Sequence, residues 1–211
     1  MKPIWQVGSH KADYNQISDE ETLERIEASK KVRFTYQSGL MLSSNALGEV
    51  FSLVPEMAKP SGPQPIMNFG GDRLVVTAET RALLESLNPG PLQFHKIDVL
   101  NAERTKSLWE GADLHMMQVL ECRRETLFEE SGAIRPPAVT VRDGVAYNMI
   151  TSTDGEDPMV VLPPAEGSAE IWIEDRLFGA LFLTDRIAQA LKAAKLTRGW
   201  GLLECRVKVV H

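Results

Sequence analysis

The sequence predicts an α+β domain, with a mixed, largely antiparallel sheet and short helices packed on it. Three observations lead there. A buried strand, a threonine, an amphipathic helix and a returning strand occur in that order within 74–100 and again within 181–209. Asp143-Gly144 sits between apolar-alternating flanks in "VTVRDGVAYNMI" (139–150). That is a hairpin signal, because a type I′ turn needs positive φ at both central residues. The remaining elements do not alternate regularly as βαβ units, which argues against an all-parallel sheet.

Each element has a local reason. In "ISDEETLERIEASKK" (17–31), Ser18 and Glu21 have the spacing of a capping box, and Leu23 and Ile26 share one helical stripe. A helix is expected from Ser18, followed by a strand at 32–37, where Val32, Phe34 and Tyr36 alternate. "PEMAKPSGPQP" (55–65) reads as a loop, since proline blocks helix and removes ladder donors. It suggests a boundary between an N-terminal subdomain, 1–60, and an α+β domain, 61–211. "NFGGDR" (68–73) reads as a turn before a strand. Leu74-Val75-Val76 is then a short buried strand and Thr77 an N-cap. Leu83, Leu84 and Leu87 share a helical face, and Asn88-Pro89-Gly90 stops the helix.

"LQFHKIDVL" (92–100) returns as a strand, with Phe94 and Ile97 available for burial. "QVLECRRETLF" (118–128) reads as a strand giving way to a turn or short helix. The second unit repeats the plan. Leu181-Phe182-Leu183 is the strand, Thr184 the N-cap, and Asp185 an acid in the first turn, where it meets the positive helix end. Ile187, Leu191 and Ala194 form the buried face. Gly199-Trp200-Gly201 breaks the chain before a strand that turns Leu203, Cys205, Val207 and Val209 inward.

Bulk composition narrows the function. The chain has 211 residues, 43% hydrophobic and 25% charged, which suits a globular core. A net charge of −6 argues against a nucleic-acid or anionic-membrane partner. No apolar window is long enough to span a bilayer, and the first residues lack the apolar segment of a signal peptide. With two cysteines and no CxxC, the reading is a reduced, cytoplasmic protein.

The motifs of catalysis are missing from the sequence. His10, His95, His115 and His211 have no metal-ligand spacing, so no metal or cofactor is expected. No GxSxG, GxxxxGK[ST] or GxGxxG occurs. The N–H groups after Thr184 could face an anion, but Asp185 would repel it there. Cys122 precedes Arg123-Arg124, which could lower a thiol pKa, so a nucleophile built from Cys122 with His95 or His115 is one reading. A small buried hydrophobe is the other.

Charge is distributed unevenly. From Asp154 to Asp175 there are seven acids and no lysine or arginine. Such a surface can steer a basic partner. Asp154, Glu156, Asp157, Glu166 and Glu170 are therefore candidate partner-binding residues. Solvated loops kept soluble by charge are the alternative.

"IWIEDRLFGALFLTDRIAQALKAAKLTRGWGLLECRVKV" (171–209) resembles the C-terminal signature of the immunity protein 11 family. The likeness lies in Ile171-Trp172, Leu183-Thr184-Asp185, Ala190-Leu191-Lys192, Gly199-Trp200 and Cys205-Arg206-Val207. "LVVTAETRALLESL" is similar to the family's upstream strand–helix unit. The resemblance implies a bacterial, non-catalytic protein that binds and neutralises a cognate toxin effector encoded next door, with no catalytic residues to carry over. The function expected is occlusion of that toxin's active site, by a monomer or a homodimer. The alternatives are an enzyme using Cys122 with a histidine, or a small-ligand-binding accessory domain.

Overall fold

A computed structural model describes residues 2–8, 17–19, 50–53, 61–69, 73–132, 134–142, 145–150, 158–177 and 180–209. Strands β1 (Ile4–Val7), β2 (Ile17–Asp19), β3 (Val50–Leu53) and β4 (Ile66–Asn68) come first. Strand β5 (Leu74–Thr77) runs into helix α1 (Ala78–Leu87), followed by β6 (Leu92–Leu100) and β7 (Leu114–Val119). Next come the short β8 (Cys122–Arg123), a 3-10 turn at Phe128–Glu130, and the pair β9 (Ile134–Arg142) and β10 (Val145–Ile150). The last elements are β11 (Val160–Val161), β12 (Ile171–Glu174), β13 (Leu181–Thr184), helix α2 (Asp185–Ala193) and β14 (Leu202–Val207).

The fold is α+β, with short helices and two mixed six-stranded sheets among the described residues. The first sheet has the order β2-β3-β6-β7-β5-β4, the second β11-β14-β1-β13-β12-β8. Most neighbours are antiparallel, but β3 with β6, β11 with β14 and β12 with β8 are parallel. Strand β1 lies inside the second sheet, paired to β13 on one side and to β14 on the other. Strands from the first sixty residues thus enter both sheets.

The elements form where local signals coincide. Leu74, Val75 and Val76 are buried, and the Thr77 Oγ1 accepts from the Thr80 N–H at 3.4 Å, the expected cap. Asn88 ends α1 with φ 47, a left-handed value that asparagine tolerates better than most residues. Leu84 is fully buried, with Leu83 and Leu87 packed partly beside it. The hairpin also forms, with Arg142 opposite Val145; Asp143 and Gly144 lie outside the described residues.

Three expectations change. Ile17–Asp19 is a strand paired with β3, so Ser18 does not cap a helix; the rest of that helix and the strand at 32–37 lie outside the described residues. Thr184 occupies the N-cap position of α2 by backbone conformation, but its side chain makes no cap hydrogen bond. A carboxylate competes for the hydroxyl, as described below. Val209 lies beyond the end of β14 and is 43% exposed, whereas Cys205 is buried as expected.

Among the described residues, three apolar clusters hold the elements together. One face of each sheet and both helices share a central cluster that contains Ile66, Leu84, Leu183, Leu191 and Trp200. A second cluster backs the first sheet, around Phe51, Phe69 and Met116. A third backs the second sheet, around Trp172, Phe182 and Cys205. Burying each leucine side chain stabilises the fold by about 1.5–3 kcal/mol relative to exposing it.

Candidate functional site

The loop from Pro163 to Glu170 joins β11 to β12 and borders a cleft. This recess, about 770 Å³, lies between that loop and the turn Asn88–Pro91 at the end of α1. Glu121 and Glu170 are its charged lining residues. A smaller recess of about 260 Å³ shares Pro164, Glu170 and Thr184 and is bordered by Lys2 and Arg186. Gly90 brings the two walls together. Its φ is +122, and a Cβ there would lie 2.4 Å from the Ala169 Cβ.

Glu170 is fixed between these recesses. It accepts the Thr184 hydroxyl at 3.0 Å and the Arg186 Nε at 2.7 and 2.9 Å, and a further contact comes from the Arg186 Nη2. The same guanidinium donates to the Leu87 carbonyl at 2.9 Å, so one arginine ties α2 to the end of α1. Hydrogen bonding from Arg186, aided by Thr184, holds the Glu170 carboxyl below the usual carboxylate range. This is why Thr184 does not cap its own helix. Its hydroxyl proton serves an ionised acid, a stronger bond than a neutral one.

Other acids of the 154–175 segment are also paired, Asp175 by a distant arginine and Glu174 by the neighbouring Arg176. Glu174 is 1% exposed and accepts from the Thr126 N–H at 2.9 Å and from Arg176 at 3.2 Å. Asp175 accepts from Arg124 at 2.6 Å. Arg123 is almost fully buried and donates to Glu121 at 2.9 Å and to the Ala169 carbonyl at 2.6 Å, while its guanidinium lies over the Trp172 ring at 4.8 Å. Glu166 is exposed at the loop's turn. Asp154, Glu156 and Asp157 lie outside the described residues. The structure thus places Glu166 and Glu170 on one loop. It adds Arg123 and Arg186, which count along the chain could not connect to that loop.

Neither cysteine forms a disulfide. Cys122 is on β8 at an edge of the second sheet, whereas His95 and His115 are on β6 and β7 of the first. Burial and the nearby Asp175 and Glu174 carboxylates push the Cys122 thiol up to about 12, although Arg124 opposes them. The net direction is opposite to the one an activated nucleophile needs. The Cys205 thiol is likewise pushed up to about 12, chiefly by burial.

His115 is nearly fully buried, with its Nε2 3.4 Å from Arg81 and 3.6 Å from Asp113. Burial, then Arg81, lower its pKa. Among the described residues, no three His, Cys, Asp or Glu side chains converge as a metal site would need. No helix among those residues is long and apolar enough to cross a membrane. No family model matches the chain, and no curated protein matches it.

Proposed function

We propose that the chain is a non-catalytic immunity protein that binds a cognate bacterial toxin effector and occludes its active site in the cytoplasm. The observation that carries this reading is the loop Pro163–Glu170 beside the 770 Å³ recess, which displays Glu166 to solvent while Arg186 and Arg123 hold Glu170 and Glu121 at the recess. The resemblance over 171–209 supports it, because those residues build β12, β13, α2 and β14, which hold that loop in place. Glu166 would meet a basic group of the toxin directly. Asp154, Glu156 and Asp157 belong to the same acidic stretch of sequence and are further candidates for the contact. Rim charges of this kind act mainly on association rate.

The test is co-expression with the product of the neighbouring gene, followed by co-purification and titration of the toxin's activity. A one-to-one complex that silences the toxin is the expected result. Reversing Asp154, Glu156, Asp157 and Glu166 together to lysine should slow association roughly tenfold at low salt and flatten its salt dependence. A neighbour that neither binds nor is toxic would remove the immunity reading. Unchanged association by the reversed variant would remove this surface from the interface.

A further inference from the structure

The two strand–threonine–helix units belong to two larger repeats. In the first sheet the order β3-β6-β7-β5-β4 surrounds α1; in the second, β11-β14-β1-β13-β12 surrounds α2. The senses match strand for strand. The strand before each helix is antiparallel to two neighbours, β4 and β7 in one case, β12 and β1 in the other. The strand after each helix is antiparallel to the same central strand, β7 or β1. Its other neighbour is parallel to it, β3 or β11.

The register agrees too. Align Thr77 with Thr184. Leu114, opposite Thr77, then corresponds to Ile4, opposite Thr184. Ile97, opposite Leu114, corresponds to Cys205, opposite Ile4. Two residues further on, Val99 faces Phe51 and Val207 faces Val161. On the other side, Ile66 faces Val76 and Ile171 faces Leu183. These five strands of each sheet fall into place without a slip, although one slipped residue would reverse a strand's buried face.

Isolated bonds repeat as well. The Thr77 N–H donates to the Pro65 carbonyl at 3.3 Å, and the Thr184 N–H to the Glu170 carbonyl at 2.9 Å. The first N–H of each helix reaches the residue before the central strand: Ala78 to the Asp113 carbonyl at 2.9 Å, Asp185 to the Pro3 carbonyl at 3.1 Å. The apolar clusters follow the same correspondence. Leu84 and Leu191 meet in the shared core, while Met67 and Trp172 occupy matching places in the two outer ones.

Two differences remain. The sixth strands do not correspond, since β2 flanks β3 in the first sheet whereas β8 flanks β12 in the second. In the first repeat, the central strand β7 follows β6 through the connection Asn101–Asp113. In the second, the chain supplies that strand from its other end, as β1. We propose that the molecule is a pair of equivalent repeats of which the second is circularly permuted. The slot between β13 and β14 is a strand-receiving site, filled in cis by β1. What the slot reads is an extended segment with the alternation of Ile4-Trp5-Gln6-Val7. Both of its edges supply main-chain hydrogen bonds, and its two faces open onto two different apolar clusters.

A rescue experiment on the full chain tests this. Gln6→Pro removes a ladder donor in the middle of β1 and should lower the urea midpoint by about 1 M or abolish folding. A second variant carries Gln6→Pro and, fused after the last residue, a Gly-Ser linker as long as Asn101–Asp113 and a wild-type copy of Ile4–Gly8. The fused strand should enter the slot and restore the midpoint and the hydrogen-exchange protection of β13 and β14. Failure of the fusion to restore either would overturn the proposal, whether or not the Gln6→Pro parent folds. So would an unchanged midpoint in the parent, or equal rescue by a fused copy that also carries the proline.

Discussion

The starts of the two helices can be compared position by position, and they share a scaffold but not their polar chemistry. At α1, the Thr77 hydroxyl caps the helix. At α2, the matching Thr184 hydroxyl goes to Glu170, and the first-turn Asp185 accepts from Trp5 at 3.1 Å and from Gln189 at 3.0 Å. On the central strands, His115 in one repeat stands where Trp5 stands in the other. His115 is flanked by Arg81 and Asp113, whereas Trp5 lies under the Lys192 ammonium, 3.8 Å from its ring centre. Many buried positions keep their apolar character, Leu84 with Leu191 and Val76 with Leu183 among them, because each must fill a close-packed core; Gln6 against Met116 and Thr80 against Ile187 do not. The rim positions differ, and the Glu170–Arg186 pair beside the proposed binding surface is found only in the second repeat. The first repeat has Pro65 and Glu79 at those places.

The largest effects should come where the repeats agree. Leu84→Ala and Leu191→Ala each remove a fully buried side chain from the shared core. Each should cost about 2–5 kcal/mol in urea unfolding, with the same cooperative transition for both. The double variant should depart from additivity, because both residues line one cluster. Two separable transitions, or one leucine costing almost nothing, would break the comparison.

A smaller effect should come where they differ. The folded-state pKa of His115 lies below its ordinary 6.5, so the folded protein resists a proton that the unfolded chain accepts. The stability this histidine contributes is complete above 6.5 and falls as the pH drops through that value towards the folded pKa. Urea midpoints measured across this window should fall for the wild type and fall less for His115→Gln. The effect should be smaller than that of either leucine. Parallel curves for the two proteins would mean that the buried ring does not resist protonation.

How much of this was legible depends on the distance over which each signal acts. Thr77, Leu84 and Asn88 can be read from sequence because caps and helical periodicity are local. The place of β1 cannot, since Trp5 pairs with Leu183 and Glu204, at the far end of the chain. Ser18 misleads because a capping box is a local signal, and pairing of Ile17–Asp19 with β3 overrides it. The acidic stretch is visible as a count. The pairing of Asp175 with Arg124 and of Glu170 with Arg186 is a tertiary fact, so those two acids read from sequence as more available than they are. Arg123-Arg124 was visible as a basic pair beside a thiol. Burial and two carboxylates outweigh it at Cys122.

Native-state hydrogen exchange compares the two central strands in the unaltered chain. If β1 is to the second repeat what β7 is to the first, the amides of Trp5, Gln6 and Val7 should exchange as slowly as those of His115, Met116 and Met117, within about tenfold. Both sets should open only with global unfolding. Fast exchange of β1 while β7, β13 and β14 stay protected would make β1 a loosely held terminus and contradict the account.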